Sequence, residues 1–526
     1  MKHFPSFLTT PHYITIITQQ ETRTFAGEET LSFEDITLTV QKGAVTLQAQ
    51  HTPIRSVRLR WNFSMPEECN ILTDAWERAY SELGWRGYVP ERPLPWYFMI
   101  KTESTVAGYG VKTNPDACCC FTCDPKGITL YMDVRCGGQG VILQGKTLTC
   151  AQLVCEEYPN TTPFDAATAF MKQLATTNIT PATPVYGFNN WYYAYGDSDH
   201  NRILANAAHL ASVTKGLENR PYMVIDDGWQ INRRAGYIGG PWRQGNDRFP
   251  DMAALAKEMT AHNVLPAIWY RPLQNEGPAL PAYCFQTDRP DRLDPSVPET
   301  LEYIKEDIRT FVDWGYRLIK HDFSLIDLVG AGGPDMLGTL WCGGDRTFAD
   351  RSKTTAQIAK DLYKAIHDAA EGKALILGCN CAGHLGAGFM ELNRTGDDVS
   401  GNVWERTRRA GVNTLAFRMP QHGAWMSTDA DCVGITHNID WEKNKQWLYL
   451  LAHSGTPLFV SVAPDTLNDE QNAFLAQMMA VASKPRPVAV PLDFTHTSCP
   501  ARWLIDSKEV TFDWFADEGI DPSVIV

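Results

Sequence analysis

The sequence predicts a multidomain α/β fold: a central (β/α)8 TIM barrel, an antiparallel β-sandwich before it and a small β region after it. Three observations predict it. Residues 1–162 read as short strands of alternating apolar and polar residues. From 163 to 484, short apolar runs alternate with helical stretches, the rhythm of β/α units. From 485 to 526 the strand pattern returns, in a segment too short for more than an appendage.

The first region has clear alternation. "DITLTVQKGAVTLQA" alternates through Leu38 and Val40, turns at Lys42-Gly43, and resumes with Val45 and Leu47. "SVRLRWNF" sets Val57, Leu59, Trp61 and Phe63 on one face. Sandwich-like pairing of such strands is expected. The cysteine run "CCCFTC" (Cys118, Cys119, Cys120, Cys123) has no further cysteine pair or histidine cluster beside it, so it reads as strand thiols rather than a zinc site.

The central region opens with a helix in "TPFDAATAFMKQLA". Eight candidate strands follow, at 184–191, 222–229, 264–272, 317–324, 374–380, 391–398, 423–431 and 457–463. Before the fourth, "SVPETLEYIKEDIRTFVDWG" has Ser296 and Glu299 at capping-box spacing, helical periodicity through Leu301, Ile304, Ile308, Phe311 and Val312, and Gly315 as a stop. The Gly-rich link "CAGHLGAGFM" between the fifth and sixth strands is too short for a full helix.

The 526 residues carry 44% apolar and 21% charged residues, with a net charge of −14. That charge argues against nucleic acid or an anionic membrane as main partner. No stretch resembles a signal peptide or a membrane span, and the cysteines are scattered; the expected location is cytoplasmic. Oligomeric state is not legible.

In a (β/α)8 barrel the C-terminal strand ends share one mouth. Four of the eight candidate strands end in carboxylates: Asp226 and Asp227, Asp322, Asp397 and Asp398, Asp429 and Asp431. Arg271, Lys320 and Arg394 add cations, and Trp191, Trp229 and Trp269 add aromatic walls. Carboxylates, cations and aromatic faces together suit a sugar. A metal site fits less well, because no HxH motif occurs and Lys320 would repel a cation. Lys320 lies two residues before Asp322, so both point to one side of a strand, and the ammonium is expected to favour an ionised, nucleophilic Asp322.

The motifs "YGFNNWYYAYGD", "VIDDGWQ", "GNDRFPDMAALAKEM", "PAIWYRP", "GYRLIKHDFS", "NRTGDD" and "SGTPLF" occur in that order over residues 184–482. This ordered set resembles glycoside hydrolase family 36, with the related family 27 sharing much of the barrel. The resemblance implies a retaining, exo-acting α-galactosidase that uses neither metal nor organic cofactor. It implies Asp322 as nucleophile and Asp397 as acid/base, with Gly396 where the family has serine and Asp398 as the fallback. It implies further that Asp226 and Asp227 bind the 4- and 6-hydroxyls, Lys320 the 3-hydroxyl, and that Arg394 reaches towards the 2-position. Trp191 and Trp269 resemble pocket walls. Cys379, Cys381 and Gly383 lie where the family reads the 2-substituent, and small residues there keep an α-N-acetylgalactosaminide open as substrate beside an α-galactoside. An N-terminal aromatic in the pocket is also implied, Trp76 or Trp85. A raffinose-synthase-like transferase and a non-catalytic sugar-binding protein are the alternatives.

Overall fold

The computed structural model describes residues 4–233, 237–277, 280–332, 346–517 and 519–520. The N-terminal residues form a six-stranded and a seven-stranded antiparallel sheet. The sheets meet face to face through rings such as Phe98 of one and Phe121 of the other, 5.3 Å apart. The expected turn at Lys42-Gly43 joins Ile36–Gln41 to Ala44–Ala49, with both turn residues at positive φ (50° and 79°), the geometry of a tight hairpin. Val57, Leu59 and Trp61 all face the core, whereas Phe63 falls beyond its strand, Ile54–Asn62. Cys118–Asp124 is a strand whose four thiols are buried.

After a helix at Pro163–Leu174, capped by the Thr162 side chain, comes a nine-stranded parallel sheet. Its strands are β1 (Tyr186–Asn189), β2 (Tyr222–Ile225), β3 (Leu265–Tyr270), β4 (Leu318–His321), β5 (Leu375–Gly378), β6 (Leu392–Arg394), β7 (Ser427–Asp429), β8 (Cys432–Ile435) and β9 (Leu458–Val462). Their spatial order is β7-β6-β5-β4-β3-β2-β1-β9-β8. Only Ala430 and Asp431 link β7 at one edge to β8 at the other, and three Cα steps of ~3.8 Å hold those edges within about 11 Å. The sheet is therefore strongly curled.

Eight strands were expected and nine are present among the described residues. The difference arises at Asp431, which takes a left-handed turn (φ 72°), its N–H donating back to Asp429 Oδ1 at 3.1 Å. An Asp tolerates that conformation because its short side chain and its neighbours bond locally. Only Ser427–Asp429 of the expected strand 423–431 is a strand, and Cys432–Ile435 beyond it is a further one.

The helix before β4 runs Pro298–Trp314 and stops at Gly315 (φ 108°) as its sequence requires. The expected capping box is absent: the N-cap is Val297, without a side-chain cap, and Ser296 Oγ instead accepts from the Asp350 backbone N–H. The Gly-rich link holds only the four-residue helix Gly383–Gly386. A three-stranded sheet at Val490–Pro491, Arg502–Ile505 and Lys508–Thr511 ends the described chain. Among the described residues, no helix is long and apolar enough to cross a membrane.

Candidate active site

Alternation along β4 sorts its side chains. Leu318 points into the curl, where it packs in one cluster with Ala267, Leu377, Leu392 and Phe459. Ile319 joins the outer core, and His321 Nδ1 meets Ser324 Oγ at 2.8 Å. Lys320 and Asp322 keep the inward phase of Leu318, so the apolar floor carries charge above it.

Lys320 Nζ donates to Asp226 Oδ2 at 2.7 Å, and Asn189 Nδ2 donates to the same oxygen at 2.8 Å. Burial is the largest influence on the Lys320 charge and opposes it, but Asp226, Cys379 and Asp322 together outweigh it and hold the ammonium well above its ordinary range. The Lys320 hydrogen bond goes to Asp226, while its charge still acts on the nearby Asp322. Asp322 instead accepts from the Trp269 indole N–H (3.2 Å, Oδ2) and from its neighbour's backbone N–H, Phe323 (2.7 Å, Oδ1). Phe323 stands at φ 58°, a costly conformation for an aromatic residue, and that turn aims its N–H backwards. The Arg271 guanidinium lies 4.3 Å from the Phe323 ring centre. Asp227 accepts from Gln230 Nε2 (2.6 Å) and Arg233 Nη2 (3.0 Å), while burial pushes its carboxyl up.

Asp397 and Asp398 follow β6. Arg78, from the N-terminal module, reaches Asp397 Oδ1 at 3.1 Å and Asp398 Oδ1 at 3.4 Å, and Arg406 takes Asp397 Oδ2 at 3.0 Å. Arg394 donates to Asp398 (3.0 Å), to Tyr192 Oη (3.0 Å) and to Asp431, which also receives the Tyr192 hydroxyl. Burial works against the Asp398 charge, but Arg78, Arg394 and Lys320 hold the carboxyl below its usual range. For Asp431 burial wins over Arg394, raising it to about 6. Among the described residues, no group of three or more His, Cys, Asp or Glu could hold a metal ion.

No protein-family model matches the chain, and no curated protein matches it in sequence. Solved structures do match. An α-galactosidase from Thermus thermophilus, in complex with p-nitrophenyl α-D-galactopyranoside, aligns with TM-score 0.59 at 17% identity, over 90% of this chain and 96% of that one. The family 36 α-galactosidase AgaB from Geobacillus stearothermophilus aligns with TM-score 0.55 at 14% identity, over 85% of this chain and 66% of that one. The fold is that of the family 36 α-galactosidases.

Within this family 36 fold, several expected site residues stand elsewhere. Trp229 is core: fully buried, it packs on Trp242 and Phe311 and donates its indole N–H to the Trp269 carbonyl. Arg271 faces Asp327 through two 2.8 Å bonds, not the open mouth. Arg394 is 1% exposed; its Nη2 donates to Asp398, Tyr192 and Asp431, while its buried Nε–H has no protein partner. Cys379 lies on the inner side, 3.5 Å from Arg394 Nη1, but Cys381 belongs to the outer core, 3.6 Å from His321 Nδ1. Gly383 faces Asn393, whose Nδ2 would stand 2.8 Å from an added Cβ. Trp191 packs between Tyr195 and Tyr237 at 5.4 and 5.5 Å. Trp76 packs edge-on to Trp96 and Trp85 edge-on to Phe494.

Sequence reasoning missed Arg78, Arg406, Asn189 and Tyr192. Asn189 had a usable signal, since it ends β1 in the inward phase. Arg78 had none: it sits in another module, more than 300 residues before its partners.

Proposed function

We propose that this chain is a retaining, exo-acting α-galactosidase, with a sandwich module over residues 1–162, a catalytic (β/α)8 barrel over 163–484 and a β appendage over 485–526. The observation that carries the proposal is Asp322. Its carboxylate ends a rigid strand, two N–H groups fix both oxygens, and the neighbouring ammonium is already committed to Asp226. A group so held is a positioned nucleophile.

Asp322 attacks the anomeric carbon while Asp397 gives its proton to the departing oxygen. Asp397 then takes a proton from water, which breaks the galactosyl ester and releases the sugar with configuration retained. Gly396 departs from the serine of the family pattern, and packing accounts for it: a Cβ there would run into the Ala410 carbonyl oxygen and stand 2.6 Å from Thr414 Oγ1. Asp226, Asp227 and Lys320 are assigned to the sugar hydroxyls, with Trp191 and Trp269 as walls. The α-galactosidase neighbours support the substrate class.

Proton NMR of the first turnovers tests the mechanism. Release of α-galactose before mutarotation supports retention, and β-galactose as first product contradicts it. The matching aryl α-N-acetylgalactosaminide in the same assay decides the 2-substituent.

A further inference from the structure

We infer that Arg78 is a positioning residue for the Asp397 carboxylate, which makes the N-terminal module part of the catalytic unit; the inference rests on the α-galactosidase reading above. Residues 74–82 leave the strand Asn70–Thr73 of the seven-stranded sheet and dock on the loop after β6. Ala79 and Gly396 form a parallel bridge, in which Ala79 N–H donates to the Thr395 carbonyl at 3.0 Å and Asp397 N–H donates to the Ala79 carbonyl at 2.9 Å. The backbone of Asp397 is thus registered against the other module.

Arg78, beside that bridge, spans both carboxylates and donates its Nε–H to Tyr80 Oη at 3.2 Å; Tyr80 in turn donates to Glu77 at 2.6 Å. The arm is pinned from the barrel side. Arg418, 4% exposed, donates to Asp74 Oδ1 (2.8 Å), to the Thr395 carbonyl (2.8 Å) and to the Glu77 carbonyl, while Asn380 donates to the Glu77 carboxylate. Arg406, the other cation on Asp397, has a side chain 44% exposed against 11% for Arg78. An exposed ion pair orients its partner weakly, whereas a buried guanidinium fork fixes geometry. Arg78 therefore sets where the Asp397 carboxyl sits.

Proton donation matters most when the leaving group is poor, which gives a readout that general destabilisation does not share. Wild type, Arg78→Met, Arg78→Lys and Asp397→Ala are compared on p-nitrophenyl and methyl α-D-galactopyranoside, with melting temperatures measured alongside. The expected result is that Arg78→Met loses at least about tenfold more kcat/KM on the methyl than on the nitrophenyl galactoside, in the same direction as Asp397→Ala. Arg78→Lys keeps the charge without the fork, falls between, and carries the test if Arg78→Met does not fold. Equal losses on both substrates overturn the inference. A wild type inactive on both overturns the α-galactosidase reading and the inference with it; an Asp397→Ala variant with equal losses overturns the acid/base assignment instead.

Discussion

Lys320 and Asp226 form a buried ion pair at 2.7 Å, joining the ends of β4 and β2 across the mouth of the curled sheet. Their side chains are 8% and 4% exposed, so neither charge can fall back on water. Breaking such a pair from one side leaves an uncompensated buried charge. Lys320→Met is expected to cost about 3–5 kcal/mol of stability, read from the denaturant midpoint. The double variant Lys320→Met, Asp226→Asn recovers part of that loss; full additivity would contradict the coupling.

Trp269→Phe removes the indole N–H from Asp322 Oδ2, 3.2 Å away, while keeping most of the aromatic packing. A hydrogen bond to a charged group is worth about 1.5–3 kcal/mol, so kcat/KM is expected to fall about 10- to 100-fold in protein that remains folded by near-ultraviolet circular dichroism. An unchanged rate would show that Phe323 N–H alone orients the carboxylate.

Parts of this site were legible in the chain. Period two on "RLIKHD" separates Lys320 and Asp322 from Ile319 and His321 because one strand obeys one local rule. The same rule reaches Asp226, the inward residue just past β2. It fails where tertiary contacts decide. Trp229 and Trp269 both sit in strand-end motifs, yet one is core and the other meets Asp322. Ser296 has the spacing of a cap but bonds across to Asp350. β8 is a separate strand only because Asp431 turns left-handed. Arg78 depends on how one module docks on another, which no local pattern encodes.

His384 lies stacked on Trp96 at 4.9 Å with Nε2 facing the Val111 carbonyl at 2.9 Å, and burial holds its imidazole down at about 3 against 6.5. Between those values the unfolded chain binds a proton that the folded chain refuses, so its contribution is full above pH 6.5 and is lost as pH falls towards 3. Asp307, raised by burial to about 7, and Asp431, raised to about 6, act oppositely over the same window, gaining stability as pH falls. The wild-type profile is the balance of these. His384→Gln isolates one contribution: between pH 6 and 4 its stability is expected to fall less steeply with acid, by up to about 1.4 kcal/mol per pH unit. A parallel profile would contradict the buried neutral imidazole.

Cleavage of p-nitrophenyl α-D-galactopyranoside by wild type and Asp322→Ala tests the central claim most directly. The account predicts turnover by the wild type and a loss of at least about a thousandfold in the variant, with melting temperatures showing both folded. Comparable turnover by Asp322→Ala, or none by folded wild type, would contradict it.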